Sequence, residues 1–241
     1  YAEPGNSKYD LNGSDAFAKV RILSALSFNT LISKSQCIVE GIENIDIKDI
    51  KIANQLNLRI KLLGVSEIIN SKLFETVHPC LVSKNSYIGN VNGVMNAVIT
   101  NGKPVGESIF QGEGAGPGPT SSSLLSDLFS ILRGNIIKPF GISSERRKKI
   151  KTFDNNNYTN SVYLRFEVKD IAGVMSKISN KLAKFNISIK RLIQTPDQNS
   201  KKATIIIITH KTSESKIKRC LLTINKSIKL LKPVTLIRIH N

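Results

Sequence analysis

YLRFEVKDIAGVMSKISNKLAKFNISIKRLIQ, residues 163–194, decides the fold of the second half of this chain. With the two residues before it, SVYLRFEV (161–168) alternates as a strand. AGVMSKISNKLAKF (172–185) then places Val174, Ile178, Leu182 and Phe185 on one helical stripe. ISIKRLIQ (187–194) returns to a strand pattern. Working outward, a polar turn, TPDQNSKK, leads to a further strand, ATIIIITH (203–210). ESKIKRCLLTINKS (214–227) reads as a helix and VTLIRIH (234–240) as a last strand. The order β-α-β-β-α-β predicts a ferredoxin-like unit over 159–241.

Toward the N-terminus, GISSERRKKIKTFDNNNY (141–158) is charged, then Asn-rich, and nearly without apolar residues, so a linker is expected there. Before it, residues 1–140 read as a separate α+β domain with a mixed sheet. YAEPGNSKYDLNGS (1–14) is a polar loop. A helix is expected from Asp15, with Ser14 or Asp15 as N-cap. IDIKDIKIANQL (45–56) is an amphipathic helix and 56–68 a strand. Short β-type runs fill 81–114, and a Gly/Pro loop, GEGAGPGPT (112–120), opens a helix that ends near Gly134. The fold class is therefore α/β in the broad sense: an α+β part followed by a βαββαβ unit.

Charge divides along the same line. The net charge is +17, yet residues 1–140 carry 13 basic and 12 acidic side chains, and residues 141–241 carry 22 and 6. A uniformly basic nucleic-acid-binding protein is thereby disfavoured. Lys outnumbers Arg 26 to 9, whereas bidentate phosphate contacts favour Arg. Compositional drift explains that excess more simply than nucleic-acid binding does. There is no long apolar run of membrane-spanning length, and no membrane partner is expected. Cys37, Cys80 and Cys220 form no CxxC pair, and His78, His210 and His240 show no ligand spacing, so no metal site is expected. A reducing, cytoplasmic setting follows from that cysteine usage. The chain begins at Tyr1, which leads us to expect residues missing upstream.

Three separated segments of the first 140 residues, YAE followed by DLNGSDAFAKV, then VNGVMNAV, then GEGAGPGPTSSSLLSDL, resemble the substrate-binding and catalytic part of homoserine dehydrogenases. Residues 163–194 are similar to the opening of ACT regulatory domains, with Ala172 where a Pro is usual. The family places a Rossmann nucleotide-binding domain with a GxGxxG turn ahead of the segment that begins here. This sequence has no such turn, so the resemblance implies an N-terminally truncated fragment, unable to turn over alone.

The resemblance implies an NAD(P)-dependent interconversion of L-aspartate 4-semialdehyde and L-homoserine, on the route to threonine, methionine and isoleucine. Lys19 matches the family's catalytic lysine and Asp15 its orienting carboxylate. From spacing alone, the two are also an ordinary i,i+4 surface pair. Glu3 matches the carboxylate that binds the substrate ammonium and Asp10 one that supports the same pocket, although the Glu3–Asp15 interval is one residue longer than the family's usual pattern. Solvent-facing loop carboxylates are the alternative. Gly114, Ala115 and Gly116 match a loop near the nicotinamide end of NADP or NAD, and the helix start after it is expected to offer free N–H groups. The loop lacks the GK[ST] ending of a P-loop, and a plain connector is the alternative. The ACT likeness implies an amino-acid effector, threonine by pathway logic, at Asp170, Gly173 and Val174, with Asp170 otherwise a simple helix cap. A homodimer or homotetramer is implied as well. The competing class is a non-enzymatic ACT-containing regulatory or polyanion-binding module.

Overall fold

The computed structural model describes residues 8–32, 37–135, 138–196 and 200–240. The expected polar loop at the N-terminus is in part a short helix, α1 (Lys8–Leu11), and α2 (Ser14–Phe28) follows at once. Neither Ser14 nor Asp15 caps α2. The N-cap is Gly13, in the left-handed region at φ 83, and Asn12 Oδ1 accepts from Ser14 N at 2.9 Å. An Asn–Gly pair makes this tight entry because Gly carries no Cβ to clash there.

Strand β1 (Ile38–Val39) leads to α3 (Ile47–Gln55). Helix α3 starts where its capping box dictates: Asp46 accepts from Lys48 N, and Asp49 accepts from Asp46 N, each at 3.0 Å. Strands β2 (Leu58–Ile69) and β3 (Lys72–Ser83) form a long hairpin. The sequence pattern predicts only a β-type run, LVSKNSYIGN, in this region. In fact 81–83 closes β3, and Ile88–Asn90 is a 3-10 turn. Strand β3 is hard to see in the sequence because ten of its residues in a row, Leu73–Val82, are buried, so it shows no alternation. It also contains Pro79, which argues against a central strand. The register explains the exception. Val77 O accepts from Glu40 N and Leu81 O accepts from His240 N, so Pro79, midway between, faces that same edge. There the edge changes partner: β1 pairs at Thr76 and Val77, and β10 (Thr235–Ile239) at Cys80 and Leu81. The missing N–H falls at the gap between two strands.

The hairpin β4 (Met95–Gly102) and β5 (Gly106–Glu113) stands apart as a two-stranded sheet. Helix α4 (Pro117–Leu132) begins earlier than expected, directly after Gly116, and buries none of its residues. The expected linker is strapped down from Lys148 onward. Leu31 N and Thr30 Oγ1 donate to Lys148 O at 3.0 and 2.9 Å, Leu73 N donates to Lys151 O, and Phe153 N donates to Leu73 O. Phe74 meets the Phe153 ring edge-on and stacks on Tyr158 at 4.0 Å.

Beyond it lie β6 (Thr159–Lys169), α5 (Val174–Lys184), β7 (Ile189–Pro196), β8 (Lys202–Thr209), β9 (Thr212–Ser213), α6 (Glu214–Ser227) and β10. The expected βαββαβ order is present, with strands arranged β10-β6-β8-β7. Both faces of this sheet are covered. Leu164, Phe166, Ile205 and Ile207 meet Ile178, Leu182, Ile217 and Ile224 of α5 and α6. Tyr163, Ile206, Ile208 and Ile237 meet Ala53 of α3 and Leu81 of β3. Because β10 pairs in parallel with β3, one eight-stranded sheet runs through both halves of the chain.

Candidate active site

Helix α2 brings Asp15 and Lys19 to one face, and Lys19 Nζ donates to Asp15 Oδ2 at 2.6 Å. Both side chains are well exposed, 46% for Asp15 and 69% for Lys19. As a surface pair this contributes only ~0.3–0.5 kcal/mol, so stability does not account for its position. What holds α2 is its other face. Val20 lies against Gly64 of β2, where a Cβ would stand 2.2 Å from Val20 Cγ2. Ser24 Oγ donates to Val20 O at 2.9 Å and reaches Ser66 Oγ at 2.5 Å. The helix therefore presents its polar start outward while its back is pinned to the β2–β3 hairpin.

Asp10 sits on α1, exposed, one tight turn ahead of Asp15. Glu3 lies outside the described residues. The turn between the two helices rests on the segment after β1: Ile42 N donates to Leu11 O at 2.8 Å, and a Cβ on Gly41 would stand 1.8 Å from that same oxygen. Gly41 and Glu40 thus belong to the surroundings of the site, and sequence reasoning missed both. The legible signal was the Gly after Glu40 in an otherwise β-type stretch, since such a Gly marks close backbone approach.

Residues 114–116 join β5 to α4. At Gly114 a Cβ would stand 1.5 Å from Asn96 Nδ2, so a side chain there would displace the Asn96 amide. Gly116, at φ 119, and Gly118 face open space, with only Pro119 Cδ at 3.9 Å from a Cβ on Gly116. The expectation of free N–H groups at this helix start needs correction. Pro117 and Pro119 carry none, and Thr120 N is bonded to Gly116 O. A platform with so few donors suits a pyrophosphate poorly. None of the described hydrogen bonds or ion pairs joins this platform to Asp10, Asp15 or Lys19.

In the C-terminal unit, Asp170 does not cap α5. The N-cap is Gly173, at φ 87, without a side-chain cap bond, and Asp170 Oδ1 instead accepts from Gln194 Nε2 at 3.4 Å. Val174 opens the helix and Gly173 faces open space. The start of α5 is thus left with backbone donors.

Two buried ionic clusters tie the halves together. Arg165 Nε and Nη2 donate to Asp49 at 2.6 and 3.0 Å, and Tyr163 donates to the same carboxylate at 3.0 Å. Arg165 also pairs with Glu167. Arg238 bridges Glu40 and Glu214. Beside it, burial and then the Arg238 charge push the His78 imidazole down to about 4. Burial pushes the Cys80 thiol up to about 12, which makes it an inert core residue. Among the described residues no group of three or more His, Cys, Asp or Glu is placed to hold a metal ion. No described helix is long and apolar enough to cross a membrane.

The Homoserine dehydrogenase family model matches residues 1–129, and the ACT domain model matches residues 162–225. The homoserine dehydrogenase of Neisseria gonorrhoeae is 36% identical, covering 100% of this chain and 57% of its own length. That of Helicobacter pylori is 32% identical, with 100% and 56% covered. A homoserine dehydrogenase structure from Thiobacillus denitrificans superposes with a TM-score of 0.88 at 29% identity, again covering 100% of this chain and 56% of that one. The S. aureus enzyme at pH 7.5 gives 0.67 at 26% identity, with the same coverage. The chain thus spans a little over half the length of the relatives it matches.

Proposed function

The chain belongs to the homoserine dehydrogenase family and carries an ACT domain at its C-terminus, and on that premise we propose that it supplies the substrate-binding and acid–base face of an NAD(P)-dependent homoserine dehydrogenase. The observation that carries this reading is the exposed Asp15–Lys19 pair on a helix pinned only from behind. In the reductive direction the aldehyde oxygen of aspartate 4-semialdehyde becomes an alkoxide. Lys19 Nζ hydrogen-bonds that oxygen and gives it a proton; in the oxidative direction it accepts the homoserine hydroxyl proton. Asp15 holds the ammonium group of Lys19 in place and contacts the substrate oxygen. Asp10, with Glu3, pairs with the substrate ammonium. A nicotinamide, when bound, supplies or takes the hydride, and Gly114, Ala115 and Gly116 line its face. The apolar side of α4, with Leu124, Leu125, Leu128 and Phe129 exposed, is the surface we assign to the nucleotide-binding part.

For regulation, the start of α5, from Asp170 through Gly173 to Val174, is the place we assign to an amino-acid effector, threonine being the candidate. Feedback through it requires different affinity in two states of the protein. Residues 1–140 and 159–241 are the corresponding working units, and a homodimer or homotetramer is the expected assembly. The test is homoserine-dependent reduction of NADP+ or NAD+ by the full-length gene product. Asp10→Asn should raise KM for homoserine at least tenfold, as loss of a charged partner implies, with KM for the nucleotide unchanged. No homoserine-dependent reduction with either nucleotide would overturn the reading.

A further inference from the structure

One edge of β3 serves two strands in succession, and the two belong to different halves of the chain. At that junction Glu40, the residue after β1, meets Arg238 of β10. Arg238 Nη1 donates to Glu40 Oε2 at 2.7 Å, and Nη2 donates to Oε1 at 3.0 Å. From its other side the guanidinium is gripped by Glu214 at the start of α6, with Nε to Oε2 at 3.1 Å and a second, short bond from Nη2. Arg238 is 2% exposed and Glu214 3%, so this arginine cannot move independently of the ACT domain. Burial alone would raise the Glu40 carboxyl, but the Arg238 hydrogen bonds and charge outweigh it and hold the group below its usual range. Glu40 is thus an anion under the conditions where the pair forms.

The main chain of Glu40 is equally constrained. Its N–H donates to Val77 O at 2.8 Å. Its carbonyl oxygen lies 3.3 Å from where a Cβ on Gly13 would stand. Gly41 packs directly on Leu11 O and Asn12 Cα, and Ile42 N donates to Leu11 O. Residues 40–42 are therefore the floor under the Leu11–Gly13 turn. That turn sets the direction of α1, which carries Asp10, and of α2, which carries Asp15 and Lys19.

We propose that Glu40 and Arg238 are positioning residues for the reaction: the last strand of the ACT domain, through the Arg238–Glu40 pair, fixes the floor on which the Asp10, Asp15 and Lys19 turn is set. The ACT domain is then part of the catalytic geometry itself, whatever effector it binds. This inference rests on the function proposed above, because it concerns the placement of that reaction's acid–base pair. It does not involve the 114–116 platform, which Glu40 does not touch in any described bond.

The experiment compares Glu40→Ala and Glu40→Gln in the full-length gene product. Glu40 is 42% exposed at its side chain, so both variants should fold. Glu40→Ala should lower kcat for homoserine oxidation by between about tenfold and a hundredfold, the cost of a small misplacement of reacting groups. KM for the nucleotide should not change. Glu40→Gln, whose amide oxygen still accepts from Arg238, should recover most of the loss. Hydrogen exchange in the peptide spanning residues 8–19 should quicken in Glu40→Ala, while exchange in α5 stays unchanged. Should the alanine variant fail to fold, Glu40→Asp, which keeps the charge and withdraws it by one methylene, should show the same pattern. Wild-type kcat together with wild-type exchange over residues 8–19 would overturn the proposal. An unaltered protein inert toward homoserine would instead sink the underlying function, and this inference with it.

Discussion

At the scale of single residues, the exposed and the buried charges have separate roles. Asp15 and Lys19 lie at the surface, where ion pairs contribute little to stability. His78 is buried and shapes the stability instead. Its imidazole ionises near 6.5 when unfolded but at about 4 when folded. The unfolded chain therefore binds the extra proton, so stability is full above pH 6.5 and falls as pH drops toward about 4. The loss is on the order of 3 kcal/mol. Glu40 acts with the same sign at lower pH, since its carboxyl is held down in the folded state. Urea melts at stepped pH should show the decline, and His78→Leu should flatten its upper part. A wild-type slope in that variant would remove His78 from the explanation. Gly41→Ala forces a Cβ to 1.8 Å from Leu11 O. It should cost about 1–3 kcal/mol or more, read as a lower denaturant midpoint.

At the scale of elements, what sequence revealed depended on whether each element has a wet face. Helices α5 and α6 turn one stripe inward, Ile178 and Leu182 in the first, Ile217 and Ile224 in the second, and both were legible from periodicity. Strand β8 was legible because four consecutive isoleucines, Ile205–Ile208, sit between polar turns. Strand β3 has the same two-sided burial, yet a His–Pro pair interrupts it, and only the tandem pairing of its edge makes that pair acceptable. The Asp15–Lys19 contact on α2 was legible from its i,i+4 spacing. The Arg238–Glu40 floor was not, because its members stand 198 positions apart and no local pattern links them. The docking of α3 onto the ACT sheet was hidden for the same reason. Asp49 reads locally as a helix cap, but its carboxylate also satisfies Arg165 and Tyr163. Asp49→Ala would take two of the carboxylate bonds from the buried Arg165 guanidinium, leaving it Glu167 and Thr235, and should cost about 3 kcal/mol. A melting curve within experimental error of the unaltered protein would contradict that role.

At the scale of the whole molecule, the net charge of +17 and the continuous sheet bear on different properties. The charge is concentrated after residue 140, while Asp10, Asp15 and Lys19 lie in the near-neutral half. The sheet joins the halves through β3 and β10, and a shared core backs it. Trypsin cleavage at the exposed Arg146 should therefore leave the two pieces co-eluting in native buffer and separating only in denaturant. Pieces that part without denaturant would mean that the shared sheet does not hold them. Catalysis is tested most directly by Lys19→Ala in the full-length gene product, followed as homoserine-dependent nucleotide reduction. Loss of its proton transfer should lower kcat by about a hundredfold to ten-thousandfold, with nucleotide binding retained. A Lys19→Ala variant that oxidises homoserine at the unaltered rate would contradict the assignment of Lys19.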